Sequence, residues 1–211
     1  ADLKKKRKKI RKITKKNITN ILFYFKYYDF FIENVNAVFG SSFALKNILL
    51  PLGISFFTFQ QISFLVDTYR GELKECGFVD YALFVSFFPQ LIAGPIITYN
   101  EVREQLLERK ITVTKIKNGT TFFLLGLGAK VLIANRIGTL WRDIQAIGVE
   151  SITTKLAWLG IISYCIQLYF DFYGYSLMAI GLGRMMGFYF PRNFDSPYLS
   201  VSMSEFFRRW H

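Results

Sequence analysis

Histidine is almost missing from this sequence: His211 is the only one. Imidazole is the side chain whose ordinary pKa lies near neutrality, so base-assisted chemistry within these residues falls to His211. Cysteine is as scarce. Cys76 and Cys165 stand far apart with no metal-ligand pattern, so neither a disulfide framework nor a zinc cluster can be inferred. Cys165 lies in an apolar run and reads as filler. No glycine-rich nucleotide loop, Gly-X-Ser-X-Gly elbow or Ser-His-Asp order occurs. The basic opening run is not followed by the short apolar region and Ala-X-Ala-type site of a cleavable signal peptide.

What the sequence has is apolar and aromatic bulk. Hydrophobic residues make up 52%, with 23 Phe and 12 Tyr, which argues against a soluble domain with one core. Residues 47–66 and 81–100 are uncharged runs of 20 residues each, the length that crosses a hydrocarbon core. Further spans are expected at 118–135, rich in small residues, and from 156 onward. Lys130, toward the end of its span, is expected to snorkel. The fold class expected is all-α: a polytopic integral membrane helical bundle with an interfacial helix and kinked, cavity-lining helices. The interfacial helix is 18–39, where Lys26, Asp29 and Glu33 share one face and Lys26 can pair with Asp29. Pro89 and Gly94-Pro95 interrupt 81–100. Broken backbone at membrane depth must be buried in protein or line a cavity, so 91–97 reads as a cavity wall or as an ordinary proline kink. Residues 101–117 alternate acids and bases and read as a solvated loop with a short helix; 136–155 reads as a connection.

The net charge of +12 is concentrated at one end. Residues 1–16 carry ten Lys and Arg against the single acid Asp2, leaving the rest close to neutral. Such a run can bind nucleic acid. Beside membrane helices we read it as a basic cytoplasmic segment, 1–17, obeying the positive-inside rule and touching membrane lipids, with no nucleic-acid partner. Lys and Arg counts group 101–117 and 184–211 on that same side.

Toward the other end, Tyr164, Gln167, Asp171 and Tyr175 recur at spacings that place them on one helix face among apolar neighbours. A carboxylate at that depth costs about 2.5–3.5 kcal/mol on insertion scales, so the stripe is expected to point inward. Pro191, Asn193, Asp195 and Pro197 then break the helical pattern, and the chain is expected to leave the membrane there. Ser202-Met203-Ser204-Glu205 reads as a capping box. In the helix that follows, Glu205 pairs with Arg208 or Arg209, and Phe206 and Trp210 form one aromatic face. This amphipathic, basic segment is expected at the lipid headgroups.

Several ordered blocks resemble the membrane-bound O-acyltransferases. They are Leu50-Pro51-Leu52-Gly53-Ile54-Ser55-Phe56-Phe57, Phe88-Pro89-Gln90-Leu91-Ile92-Ala93-Gly94-Pro95, Asp171-Phe172-Tyr173-Gly174-Tyr175-Ser176, and Ser204-Glu205-Phe206-Phe207-Arg208-Arg209-Trp210-His211. The nearest branch is similar to the bacterial O-acetyltransferases of alginate and peptidoglycan, although Tyr173 stands where that branch usually has a small residue. The resemblance covers roughly 20–211. The family's second histidine, in a Gly-X-Trp-His-Gly block, is expected further downstream, so residues 18–211 read as an incomplete membrane domain of an internal fragment, inactive alone.

The resemblance implies an O-acyltransferase that moves an acyl group, acetyl in that branch, onto a hydroxyl of a cell-envelope or exported polysaccharide. It implies a multi-pass protein of the bacterial inner membrane, no bound cofactor, and acetyl-CoA or another acyl thioester as co-substrate. Polysaccharide and envelope or periplasmic acetylation proteins are the implied partners. His211 is the candidate catalytic residue, either as the base or beside the downstream histidine; the bland alternative is an interfacial ring. Gln167, Asp171, Tyr175, Arg208 and Arg209 are candidate substrate- or cavity-lining residues. Asp171 alternatively bonds within the bundle, and the arginines either anchor to headgroups or clamp an acyl donor. The rival class is a transporter or channel segment, which intramembrane charge and broken helices also suit.

Overall fold

No proline or glycine interrupts residues 2–39, and in the computed structural model they form one helix, α1 (Asp2–Phe39). The structure describes residues 2–73, 77–87, 94–95, 97–148 and 150–210, with side chains except for residues 2–17 and Leu107. Among the described residues the fold is all-helical, without a strand: α2 (Ile54–Arg70), α3 (Phe78–Ser86), α4 (Tyr99–Glu108), α5 (Val113–Gly128), a π-helical segment (Ala129–Ala134), α6 (Asn135–Ile147), α7 (Thr154–Met185) and α8 (Met203–Arg209). The chain divides into two compact units, Ala1–Ile92 with Thr98–Arg103, and Ala93–Ile97 with Glu104–His211. The change in composition near residue 17 falls inside α1.

In the first unit, Asp29 does not pair with Lys26. Its carboxylate accepts from the backbone N–H groups of Lys46 (2.8 Å) and Ile48 (3.2 Å), and Asn36 exchanges two hydrogen bonds with the backbone of Phe43. These bonds fold 40–50 back along α1, satisfying backbone groups that no helix would. The 20-residue run at 47–66 is therefore not one helix. Pro51 and a left-handed Gly53 (φ 75°) delay helix formation until Ile54. The run at 81–100 differs more. It yields the nine-residue α3, too short to cross a bilayer, then non-helical backbone at Phe87 and at 94–95, before α4 begins at Tyr99. Most of the expected cavity wall at 91–97 lies outside the described residues. Phe64, Phe84 and Tyr99 pack edge-on as this unit's aromatic core.

Among the described residues two helices are long and apolar enough to cross a membrane, both in the second unit: Val113–Ile147 and Thr154–Met185, of 35 and 32 residues. Only 17% and 11% of their most apolar windows are buried, so they do not resemble core helices of a soluble domain. Leu124, Leu125, Leu132, Trp158, Ile161 and Ile162 form an exposed apolar belt. Thr112 and Thr153 cap the two helices, their hydroxyls accepting from the N–H groups of Lys115 and Leu156. The first helix continues through the π segment into α6, so 136–147 is helix, not connection. α7 ends in a Schellman motif: left-handed Gly187 (φ 90°) lets Phe188 N–H reach Gly183 O at 2.9 Å. Lys115 Nζ donates to Gly187 O at 3.0 Å, which puts the start of α5 and the end of α7 at the same end of the pair.

α5 and α7 touch through glycine. A Cβ on Gly119 would lie 2.6 Å from Gly181 O, and one on Gly174 would lie 2.7 Å from Gly126 O. Close backbone approach of this kind drives helix association where lipid removes the hydrophobic incentive. We expect Gly181→Leu in the full-length protein to force the helices apart at a cost of about 1–3 kcal/mol or more, read as a lower thermal midpoint in detergent. An unchanged midpoint would mean the contact does not hold the pair.

Candidate functional site

The first polar feature lies half-way along both long helices. Lys130 Nζ donates to Asp171 Oδ1, with each side chain keeping about a third or more of its surface (34% and 41%). Lys130 is not at a helix end and does not snorkel. It sits in the π segment, where the extra residue per turn rotates the following side chains, an irregularity common at functional sites. Tyr164 and Gln167 share this face: Tyr164 packs on Trp141 (5.1 Å between rings), and the Gln167 amide lies where a Cβ on Gly138 would be, 2.8 Å from Nε2. Gln167 Oε1 is buried without a partner among the described residues. Tyr164, Gln167 and Asp171 thus meet α6 and the π segment, although Tyr164 stays as exposed as Tyr175 (44% and 38%).

The second feature is the segment after α7, which returns along the helix. Phe190 lies against Gly183, Phe194 against Tyr173 and Tyr169 (6.4 and 6.0 Å), and the Tyr198 hydroxyl donates to Cys165 O at 2.7 Å. From Met185 to Tyr169 is about 24 Å of helix at 1.5 Å per residue. Tyr169 is half-way along α7, so α8 docks against the middle of that helix. The physical reason is aromatic packing: Tyr169, Phe194, Tyr198, Phe206 and Trp210 form one cluster, with Phe206 and Trp210 stacked at 5.5 Å.

Hydrogen bonds close the returning segment on itself, as backbone at that depth requires. Half of the capping box forms: Glu205 N–H donates to Ser202 Oγ (3.2 Å), while the Glu205 carboxylate accepts from Val201 N–H (3.0 Å), one residue before the cap. Of the two arginines Glu205 takes Arg209, at 2.7 Å. Arg209 Nη1 also donates to Asp195 O (3.2 Å), and Asp195 N–H donates to Arg209 O (3.0 Å). Arg209 is thus an internal strut, not a headgroup anchor. Arg208 is exposed. His211 lies outside the described residues and follows Trp210 in the chain.

Between α5, α7 and the returning segment is a pocket of about 200 Å³. Phe122, Tyr169, Tyr173 and Phe194 supply ring walls, and Arg192, Asp195 and Ser196 supply polar groups. Tyr169 and Tyr173 are stacked at 5.4 Å. Sequence reasoning missed these pocket residues, because it followed the polar stripe on another face of α7. The available signal was the i, i+4 tyrosine pair.

The paired charges make a direct test. Lys130→Met should strand the Asp171 carboxylate and lower stability by about 1–3 kcal/mol, discounted for partial exposure, while adding Asp171→Leu should recover most of the loss. Single variants as stable as the double would show that the pair is not a unit.

The sequence profile of "MBOAT, membrane-bound O-acyltransferase family" matches residues 2–211. The chain is 46% identical over 196 residues to "Probable alginate O-acetylase AlgI" of Pseudomonas aeruginosa, covering 90% of this chain and 37% of that protein. It is 39% identical over 220 residues to "Peptidoglycan O-acetyltransferase" of Helicobacter pylori, covering 91% and 42%. It is 31% identical over 173 residues to "Teichoic acid D-alanyltransferase" of Streptococcus thermophilus, covering 79% and 41%. The chain thus spans about two fifths of the length of the curated relatives it matches. With a match that runs from residue 2 to residue 211, the chain belongs to the membrane-bound O-acyltransferase family, and its long apolar helices are those of a membrane protein.

Proposed function

We propose that the full-length protein is a multi-pass enzyme of the bacterial inner membrane that transfers an acetyl group to a hydroxyl of an envelope or exported polysaccharide. The observation that carries this reading is the family match across the whole chain, together with relatives named for O-acetylation of alginate and of peptidoglycan. The donor is acetyl-CoA or another acyl thioester, used as a co-substrate. Envelope or periplasmic acetylation proteins are the proposed partners.

In the reaction the acceptor hydroxyl oxygen attacks the thioester carbonyl carbon, a base takes the hydroxyl proton, and the thiolate leaves once the tetrahedral intermediate collapses. His211 is assigned to that proton, alone or beside a histidine elsewhere in the full-length protein. Neutral imidazole is the group in this chain suited to it at neutral pH. Gln167 and Asp171 are assigned to positioning: Asp171 is already committed to Lys130, and Gln167 keeps one buried acceptor open. Tyr175 and Arg208 are exposed in this chain and are proposed to face the remaining part of the protein or the substrate path. Arg209 supports the backbone around Asp195.

The test is His211→Ala in the full-length gene, with polysaccharide O-acetyl content as the readout. General-base loss should lower transfer about 10²–10⁴-fold at unchanged protein level. Wild-type acetylation by the variant would overturn the assignment, and no dependence of acetylation on the gene at all would overturn the function.

A further inference from the structure

The pocket beside Tyr169 and Tyr173 has a combination that hydrocarbon cannot fill. Two of its side chains are a guanidinium and a carboxyl group, Arg192 and Asp195, and both are exposed next to the middle of α7. Among the described residues neither the guanidinium nor the carboxylate has a hydrogen-bond partner. The Asp195 backbone, by contrast, is fixed by Arg209 through both its carbonyl and its N–H. An acyl chain against these groups would leave two charges unsolvated at membrane depth, the most expensive arrangement available there. The occupant must therefore bring hydrogen bonds.

It must also bring a flat face of limited size. The walls are the rings of Phe122, Tyr169, Tyr173 and Phe194, and about 200 Å³ is below the usual range of pockets for drug-sized ligands. Such a volume excludes a nucleotide-bearing acyl donor and fits a single six-membered ring. Tyrosine faces receive the C–H side of a sugar ring, while a carboxylate and a guanidinium each bridge neighbouring hydroxyls. One positive and one negative group leave the pocket neutral overall, suited to hydroxyls more than to a multiply charged ligand.

We infer that this pocket is the acceptor subsite, holding one pyranose ring of the polysaccharide against Tyr169 and Tyr173 with its hydroxyls on Asp195 and Arg192. The inference rests on the proposed function and names where in the fold that function meets its acceptor. Asp195, Arg192 and Tyr173 act here as binding residues; the proton transfer belongs to another group. Trp210, packed on Phe194 at 5.2 Å, places the following residue, His211, next in sequence to a ring of the same cluster.

The experiment uses the full-length protein in detergent or nanodiscs, with short alginate oligosaccharides and peptidoglycan-derived disaccharides as acceptor probes and acetyl-CoA as donor. Asp195→Asn keeps shape and removes the charge; Tyr173→Ala removes the platform; Tyr173→Phe keeps it. Asp195→Asn and Tyr173→Ala should raise the acceptor KM about tenfold more than they lower kcat, with the donor KM unmoved and Tyr173→Phe close to wild type. Titration of the probes without donor, followed by tryptophan fluorescence, should show the same weakening. An unchanged acceptor KM, a raised donor KM, or a fall in thermal midpoint without a kinetic split would overturn the inference; the last would mean that another part of the protein fills the pocket. A wild-type protein that neither binds nor acetylates any of these sugars would instead overturn the proposed function.

Discussion

Lys130 and Asp171 meet half-way along the two helices that carry the apolar belt, and the rest of the second unit is arranged around keeping that meeting possible. Neither charge is tolerable there alone, because hydrocarbon offers no solvation. Bringing them together needs α5 and α7 close enough for a lysine to reach across, which the glycine contacts at Gly119–Gly181 and Gly126–Gly174 provide. It also needs the lysine turned toward α7, and the π segment at Ala129–Ala134 falls where that turn is made. Small residues, the irregular helix and the ion pair are three parts of one solution.

The same rule governs the segment after α7. Backbone that is not helical can sit at membrane depth when its polar groups are satisfied within the protein. Gly187 reverses the chain, an extended stretch lays Phe190 and Phe194 along α7, and the Glu205–Arg209–Asp195 bonds close the end. Aromatic packing on Tyr169 supplies the attraction. The consequence is position: Arg209 and Trp210 are carried back to the middle of the helix.

Much of this was legible locally. Ser202 and Glu205 announce a helix start at a fixed spacing, and the cap forms. The small residues of 118–135 announce close packing, and Gly119 and Gly126 deliver it. What local pattern does not encode is depth. Pro191, Asn193, Asp195 and Pro197 read as an exit because they break helices, yet a break is needed equally for leaving the membrane and for turning back within it. The excess of rings from Phe188 to Tyr198 was the sign against an exit. Lys130 differs for a related reason: a span of 118–135 puts it near an end, while the helix continues to Ile147 and leaves the lysine at its centre. Asp29, likewise, took distant backbone partners over the lysine one turn away, because unpaired N–H groups in the following connection were in greater need.

The segment ending in Trp210 lies against the middle of α7. Cross-linking in native membranes measures it most directly. In full-length protein with Cys76→Ser, Tyr198→Cys is paired with the natural Cys165 through a short bifunctional maleimide, and the linked peptide is read by mass spectrometry. The account predicts efficient linkage, since the Tyr198 hydroxyl reaches Cys165 O at 2.7 Å. Absence of the linked peptide, with both cysteines still modified singly, would contradict it and return the segment to the headgroups.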